Sequence, residues 1–393
     1  MGLRNFIIIN NLYYTSVQRF CAVFFRLGLI YAAAFIFFAC ATENVSRAGS
    51  WRDTVITMVG TGDNLIHKEL IDYAGLGNDK FNFDQCYSQI RNVVKASDVA
   101  FVNQETMIAG KEFRYSGYPL FNGPSAVGTA LVNTGFNVVN HATNHAMDKG
   151  ADAVLATINF WKSQKNIMLI GIYESQKVRD VKHIINVKGI KIGFLAYTYG
   201  LNGLSLPEDK PYLVSLIDTN VMAQEIDALR PYCDFLAVSM HWGNEYEYTP
   251  SKRQQELAAF LAEHNVDLVI GHHPHVLQPV KWLPKASGGM MLCYFSLGNF
   301  LSAQTESPRL LGGMMHIKIR KKSKSGMILI ENAELLPLVT HYTSGYKDFK
   351  IYFLDDYTQI TAASHALNIK GDKITLDYFR KLITSIFGEK STP

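Results

Sequence analysis

Five short segments of this chain place side chains that bind metals or carry protons directly after apolar runs. The densest is Asn265 to Val280, NVDLVIGHHPHVLQPV, where His272, His273 and His275 follow Asp267 to Ile270, a run that reads as a buried strand. Gly271 is expected to end that strand in a sharp turn free of a Cβ clash, with Pro274 stiffening the exit. Asp63 follows Met58 to Gly60, and Glu105 follows Phe101 and Val102. Asn144 and His145 lie in NHATNHAMDKG after Val138 and Val139, and His241 follows Leu236 to Met240. Neutral imidazole is the commonest protein metal ligand, and α/β proteins gather ligands at the carboxyl ends of strands, which converge in space however distant they are in sequence. Imidazole, carboxylate and amide donors without thiolate suit Mn, Fe, Zn or Mg. A divalent ion held by them polarises an oxygen and acidifies a bound water.

Singly, each residue has a plainer explanation. Asp63 beside Gly62 suits a turn, and Glu105 suits an exposed strand edge. Asn144 or Asp148 suits a helix-capping turn, His241 suits a satisfied core histidine, and three loop histidines can be incidental. All five explanations would have to hold at once, in the same strand-end context. The joint arrangement therefore carries the metal reading.

Positioning such a set takes alternating strands and helices. Apolar runs at Thr54 to Gly60, Val99 to Asn103, Asn137 to Asn140, Ile167 to Ile170, His183 to Val187, Lys191 to Tyr197, Asp234 to Ser239 and Met291 to Phe295 predict strands, the last closing the core. Helices are expected at Asp84 to Ala96, Gly123 to Thr134, Gly150 to Gln164, Val221 to Arg230 and Ser251 to Glu263. The alternation argues for an α/β fold with sheets covered by helices. Beyond Gly313, Met314 to Arg320 and Met327 to Ala333 predict a hairpin across KKSKSG, and Thr375 to Phe387 an amphipathic helix. These are expected to close the second sheet and cap the fold rather than carry chemistry.

With 393 residues, 48% of them apolar, the chain can bury a core for one large domain or two ordinary ones. Residues 1–39 hold Arg4, Arg19 and Arg26 but no Lys and no acid, then an apolar run from Leu27 to Ala39 too short to span a bilayer comfortably. With Cys40 next and polar ATENVSRAGS beyond, the segment resembles a bacterial lipoprotein signal, in which the cysteine becomes the lipidated first residue. Phe37 departs from the usual aliphatic residue of that pattern. A retained anchor helix is the alternative, and both place the remainder outside the cytoplasm. Without residues 1–39 the chain has 35 basic against 34 acidic residues, near +1, which favours neither nucleic acid nor a polyanion through bulk charge. Cys86, Cys233 and Cys293 lack CxxC spacing and predict buried thiols. The expected organisation is a signal at 1–39, a linker at 40–52, a main domain at 53–313 and a C-terminal hairpin and helix at 314–393.

Taken together, GD at Gly62-Asp63, NQE at Asn103 to Glu105, NHATNHAMDKG at Asn140 to Gly150, HWGNEY at His241 to Tyr246, GHHPHVLQP at Gly271 to Pro279 and YFSLGNF at Tyr294 to Phe300 resemble the CapA family. These are bacterial poly-γ-glutamate capsule synthesis proteins of the calcineurin-like metallophosphoesterase superfamily, and the resemblance runs from Thr54 to Ser302. It implies a four-layer sandwich of two mixed β-sheets flanked by helices, with one or two divalent ions at the strand ends. By that resemblance Asp63 binds the first ion, Glu105 bridges two, Asn144, His241 and His273 bind the second, and His275 returns to the first. His145 faces the substrate as general acid or transition-state stabiliser, Asp148 orients its ring, and His272 is a loop neighbour. One departure stands out: the superfamily's first motif reads Asp-x-His, but Leu65 occupies the histidine's place and His67 lies two residues further on.

The expected function is a lipid-anchored cell-envelope protein acting in synthesis or retention of poly-γ-glutamate or a related capsule polymer, with metal-dependent hydrolase-type chemistry. A non-catalytic polymer-binding or assembly factor and a periplasmic phosphoesterase are the alternatives. Expected partners are an anionic envelope polymer or its precursor, the membrane through Cys40, and other capsule-assembly proteins, with no nucleic acid.

Overall fold

Apolar runs covered on both faces build two mixed sheets in a computed structural model that describes residues 7–8, 52–369 and 374–388. Cys40, and the signal segment apart from Ile7–Ile8, lie outside the described residues. In the first sheet Thr54–Asn64, Val99–Gln104, Val138–Asn140 and Met168–Ile170 lie parallel, side by side. Parallel neighbours need crossovers, and helices Ala126–Thr134 and Ala151–Ser163 lie within two of them. The other edge of Thr54–Asn64 pairs antiparallel with Leu311–Lys321, which pairs with Ile328–Thr343 and, beyond it, Lys347–Phe353. Asn299–Leu301 joins the carboxyl end of Thr54–Asn64. The second sheet runs in the order Val280–Pro284, Met290–Tyr294, Leu268–His272, Phe235–His241, Ile190–Thr198, Ile184–Val187. Its four central strands are parallel and its two edges antiparallel.

Strand alternation sorts side chains between layers. Phe194, Ala196, Phe235, Ala237, Leu268 and Ile270 enter the core shared with the first sheet. Leu195, Tyr197, Leu236, Val238, Met240 and Val269 pack instead against Met222 and Ile226 of helix Thr219–Leu229 and Leu257 and Leu261 of helix Lys252–Glu263. Val127, Leu131 and Trp161 join the first cluster from the helices at 126–134 and 151–163. Each Val, Leu, Ile, Phe or Met among them contributes about 1.5–3 kcal/mol on burial. The result is the expected four-layer sandwich. Both helices of the second sheet start on side-chain caps: Ser251 forms a capping box with Gln254, and Asp218 accepts from the amides of Asn220 and Val221.

Three expectations change. Met291 to Phe295 is not the last core strand, because Leu311–Lys321 lies beside Thr54–Asn64 with Met315 opposite Gly60 and Ile317 opposite Met58. The C-terminal hairpin therefore belongs to the first sheet, and residue 313 falls inside a strand. The Asp84 to Ala96 helix shrinks to Arg91–Ala96, since turns bury Phe83, Cys86, Tyr87 and Ile90 beforehand. Cys86, Cys233 and Cys293 are free thiols, the first and last buried and Cys233 half-buried. Among the described residues, no helix is long and apolar enough to cross a membrane.

Candidate metal centre

The carboxyl ends of both sheets meet at one edge and bring the predicted donors together. Oxygens of Asp63 and Glu105 and a ring nitrogen of His275 lie within 4.8 Å of one another, as do donor atoms of Glu105, His241 and His273. Glu105 belongs to both groups, and every member is buried. Asn144 enters through Oδ1, 2.8 Å from His241 Nε2.

Neighbouring amides hold these groups in place. Asn103 Nδ2 donates to Asp63 Oδ1 at 2.8 Å, and Asn140 Nδ2 in turn donates to Asn103 Oδ1 at 2.7 Å. His275 Nδ1 stands 3.0 Å from Asn299 Oδ1 and 3.0 Å from Asp63 Oδ2. Asn299 Nδ2 already donates to Gln304 Oε1 and Arg309 O, so its Oδ1 must accept and His275 Nδ1 must carry the proton. Nε2 is then the ring atom turned toward Glu105, 3.7 Å from its Oε1, and the one available to an ion. Gly271 serves differently from expectation: it lies within strand Leu268–His272, and a Cβ there would meet the Phe295 carbonyl oxygen at 2.0 Å. The turn itself is made by His273 and His275, both in left-handed backbone with φ of 96° and 57°.

Electrostatics favours a cation among these groups. Glu105 is fully buried with neither oxygen hydrogen-bonded, between His275 at 3.7 Å and His241 Nε2 at 3.9 Å. Burial, countered in part by His275 and reinforced by Asp63, pushes its carboxyl well above the usual range. Burial works against the charge on Asp63, yet the adjoining imidazoles of His272 and His275 hold it well below that range. Burial and the neighbouring imidazoles push His273 down to about 3 and His241 well below its ordinary value. His275 goes the other way: burial disfavours its charge, but Glu105 and Asp63 raise it to about 9. Buried polar atoms without partners are rare in native folds, and here His241 Nδ1, His273 Nδ1 and both Glu105 oxygens cluster. A divalent cation suits this donor set.

His145 Nδ1 lies 2.7 Å from Asp148 Oδ2, as expected of an oriented ring, and Phe121 packs edge-on against it at 4.7 Å. The backbone amide of Phe121 donates to the same Asp148 oxygen at 2.7 Å.

Residues 57–304 match the family described as bacterial capsule synthesis protein PGA_cap. The chain belongs to this family. The PGA biosynthesis protein CapA of Bacillus subtilis strain 168 is 25% identical over 288 residues, 72% of this chain and 72% of that protein. The capsule biosynthesis protein CapA of Bacillus anthracis is 27% identical over 274 residues, 67% of this chain and 64% of that protein. Among solved structures, the calcineurin-like phosphoesterase YfkN of Bacillus subtilis aligns over 84% of this chain and 100% of its own, at 12% identity and TM-score 0.42. A phosphatase from Mycoplasma pneumoniae aligns over 73% of this chain and 95% of its own, at 12% identity and TM-score 0.42.

The matched PGA_cap segment contains every residue gathered at the centre, and also residues that sequence reasoning missed. Asn202 Nδ2 lies 3.3 Å from His145 Nδ1, while its Oδ1 accepts from Asn144. Tyr199, half exposed, lies 4.6 Å from His273 ring to ring. Asn299 sits in the YFSLGNF motif but was assigned no role, and Glu245 in HWGNEY stands near His273 and His275. Only a three-dimensional contact distinguishes them from other loop polar residues. His272 is no loop residue: it ends its strand, fully buried and stacked on Phe101 at 5.6 Å, with Nδ1 3.6 Å from Asp63 Oδ1. Leu65 is buried, and His67 packs against Phe121 at 5.3 Å while accepting from the Ala303 amide. Neither belongs to the groups of donors described above.

Proposed function

We propose that this PGA_cap chain is a metal-dependent, hydrolase-type protein of the cell envelope that acts in synthesis or retention of an anionic capsule polymer such as poly-γ-glutamate. The carrying observation is Glu105, a fully buried carboxylate without a hydrogen bond between two imidazoles, in a chain whose relatives are named for capsule biosynthesis. Asp63, Glu105 and His275 would hold one ion, and Glu105, Asn144, His241 and His273 another, from among Mn, Fe, Zn or Mg. Such ions, when bound, acidify a water and stabilise negative charge on a phosphoryl or carbonyl oxygen. His145 moves the proton: with Nδ1 held by Asp148, Nε2 is the atom free to give a proton to a leaving group.

The same reading removes residues 1–39, anchors Cys40 in lipid, uses 40–52 as a tether, and assigns the chemistry to 53–313 with 314–393 completing the frame. Cys40→Ser is then expected to shift the protein from the membrane to the soluble fraction. The polymer or its precursor and other capsule-assembly proteins are the proposed partners. Elemental analysis of the purified protein, with hydrolysis of model phosphodiesters and γ-glutamyl peptides in added Mn²⁺, tests the enzyme. A metal-free protein, inert on both and unchanged by His145→Ala, overturns it. Activity confined to small phosphoesters would mark a periplasmic phosphoesterase. Leu65, where the superfamily pattern has a histidine, favours a second reading, a polymer-binding or assembly factor without turnover. That reading prevails if His145→Ala and His241→Ala leave polymer retention intact while surface substitutions abolish it.

A further inference from the structure

One carboxylate outside the predicted donor set faces the centre. An oxygen of Glu245 and ring nitrogens of His273 and His275 lie within 4.8 Å of one another. We propose that Glu245 is a metal ligand, supplying from the solvent side a donor to the ion held by His275. The inference rests on the metal-centre reading above and deepens it.

Main-chain bonds, rather than a flexible contact, bring Glu245 there. The Tyr246 amide donates to Pro274 O at 2.7 Å, and the Trp242 amide to His272 O at 3.1 Å, so the HWGNEY turn is clamped against the histidine turn on both sides of Glu245. Tyr246, like His273 and His275, is held in left-handed backbone, at φ 68°. Such conformations are costly for non-glycine residues and persist only where surrounding contacts enforce them.

Two unsatisfied groups point to what lies between. His273 is 3% exposed and its Nδ1 has no hydrogen-bond partner, and neither oxygen of fully buried Glu105 has one. Among the described residues no cation pairs with Glu245: Arg309, whose guanidinium covers the Tyr246 ring at 3.4 Å, pairs with Glu306 instead.

Asp63, Glu105 and His275 alone give their ion three protein donors, and Leu65 adds none. A third carboxylate completes a fourth position and brings the protein's charge closer to that of two divalent ions. Glu245 is exposed while the other donors are buried, so its carboxylate meets the ion from the hydrated side of the centre.

Titration calorimetry of the purified protein with Mn²⁺, paired with electron paramagnetic resonance of the loaded sample, tests the assignment. Wild type is expected to take two ions with a spin-coupled spectrum. Glu245→Gln, an exposed and nearly isosteric change, is expected to weaken the ion held by His275 at least about 10-fold, the scale of losing even an outer partner, and to leave an isolated Mn²⁺ spectrum. Equal stoichiometry and affinity in the two proteins, with the coupled spectrum retained, overturns Glu245 as a ligand and leaves the centre standing. Wild-type protein that binds no Mn²⁺ overturns the metal centre itself, and this inference with it.

Discussion

His241, His273 and His275 at the centre, and His341 and His365 near the carboxyl terminus, are all at most 3% exposed, yet their surroundings differ in kind. His341 Nδ1 meets the Tyr357 hydroxyl at 2.9 Å, and the His365 ring lies 4.6 Å from Tyr342 and 5.2 Å from His341. Tyr357 also touches Phe379 of helix Leu376–Phe387, so this aromatic cluster fastens the last helix to the first sheet. Among the described residues, His341 and His365 join no group of metal-competent side chains. Burial pushes both imidazoles down to about 4 and keeps them neutral. At the centre the carboxylates of Glu105 and Asp63 reverse that outcome for His275. Burial alone makes a histidine a packing group. A buried carboxylate lacking its own partner makes it part of a site.

The largest expected effect breaks one region and spares the other. Glu105→Ala, which removes the donor common to both groups, should weaken Mn²⁺ binding by more than about 100-fold, beyond the range of an outer partner. His341→Phe should leave calorimetric Mn²⁺ binding unchanged, and a loss there would abolish the distinction. Next, His145→Ala should lower kcat by about 10²–10⁴-fold with metal content retained, while Asp148→Asn should cost about 10–100-fold, both read from steady-state kinetics beside elemental analysis.

Stability should respond to pH in opposite senses at His275 and at the His341–His365 pair. For His341 and His365 the unfolded chain takes up protons near the ordinary value of 6.5 but the folded protein only near 4. Their contribution is therefore complete above 6.5 and lost as pH falls toward 4, on the order of 3 kcal/mol for each histidine. His275 in metal-free protein has its folded value raised to about 9, so its contribution is complete below 6.5 and lost as pH rises through 9. Thermal melts from pH 4 to 9 should show both limbs. Mn²⁺ should suppress the alkaline one, and His341→Phe with His365→Phe should shrink the acid one, to which buried His67 and His141 also contribute. An acid limb untouched by that double substitution would contradict the packing role. The smallest effect concerns Thr375, whose hydroxyl accepts from the Tyr378 amide at the start of the last helix. Thr375→Ala should cost about 1 kcal/mol in denaturant unfolding without altering metal affinity.

Much of the centre was legible because strand ends announce themselves locally: an apolar run followed by Asp63, Glu105 or His241 needs no distant information. The same holds for Asp148, one helical turn from His145. Asn299 and Asn202 were not legible, since each matters only through a hydrogen bond to a residue 24 or 57 positions away. Gly271 was assigned the wrong reason, because the carbonyl that excludes a Cβ there belongs to Phe295 on a neighbouring chain segment. The C-terminal hairpin read correctly as two strands but was placed on the wrong sheet, as alternation identifies a buried face without naming its partner.

From its own pattern of types, then, the sequence determined which strand-end side chains are of metal-competent type, the alternation of strands and helices, and the family, because side-chain chemistry and apolar period are local properties. Tertiary structure alone decided which donors share a position, that His272 stacks in a strand while Glu245 faces the histidines, and that Leu311–Lys321 lies beside Thr54–Asn64. Those outcomes follow from strand register, such as His241 beside His272, and from the packing of one sheet on the other. Both are set by contacts between segments far apart in the chain.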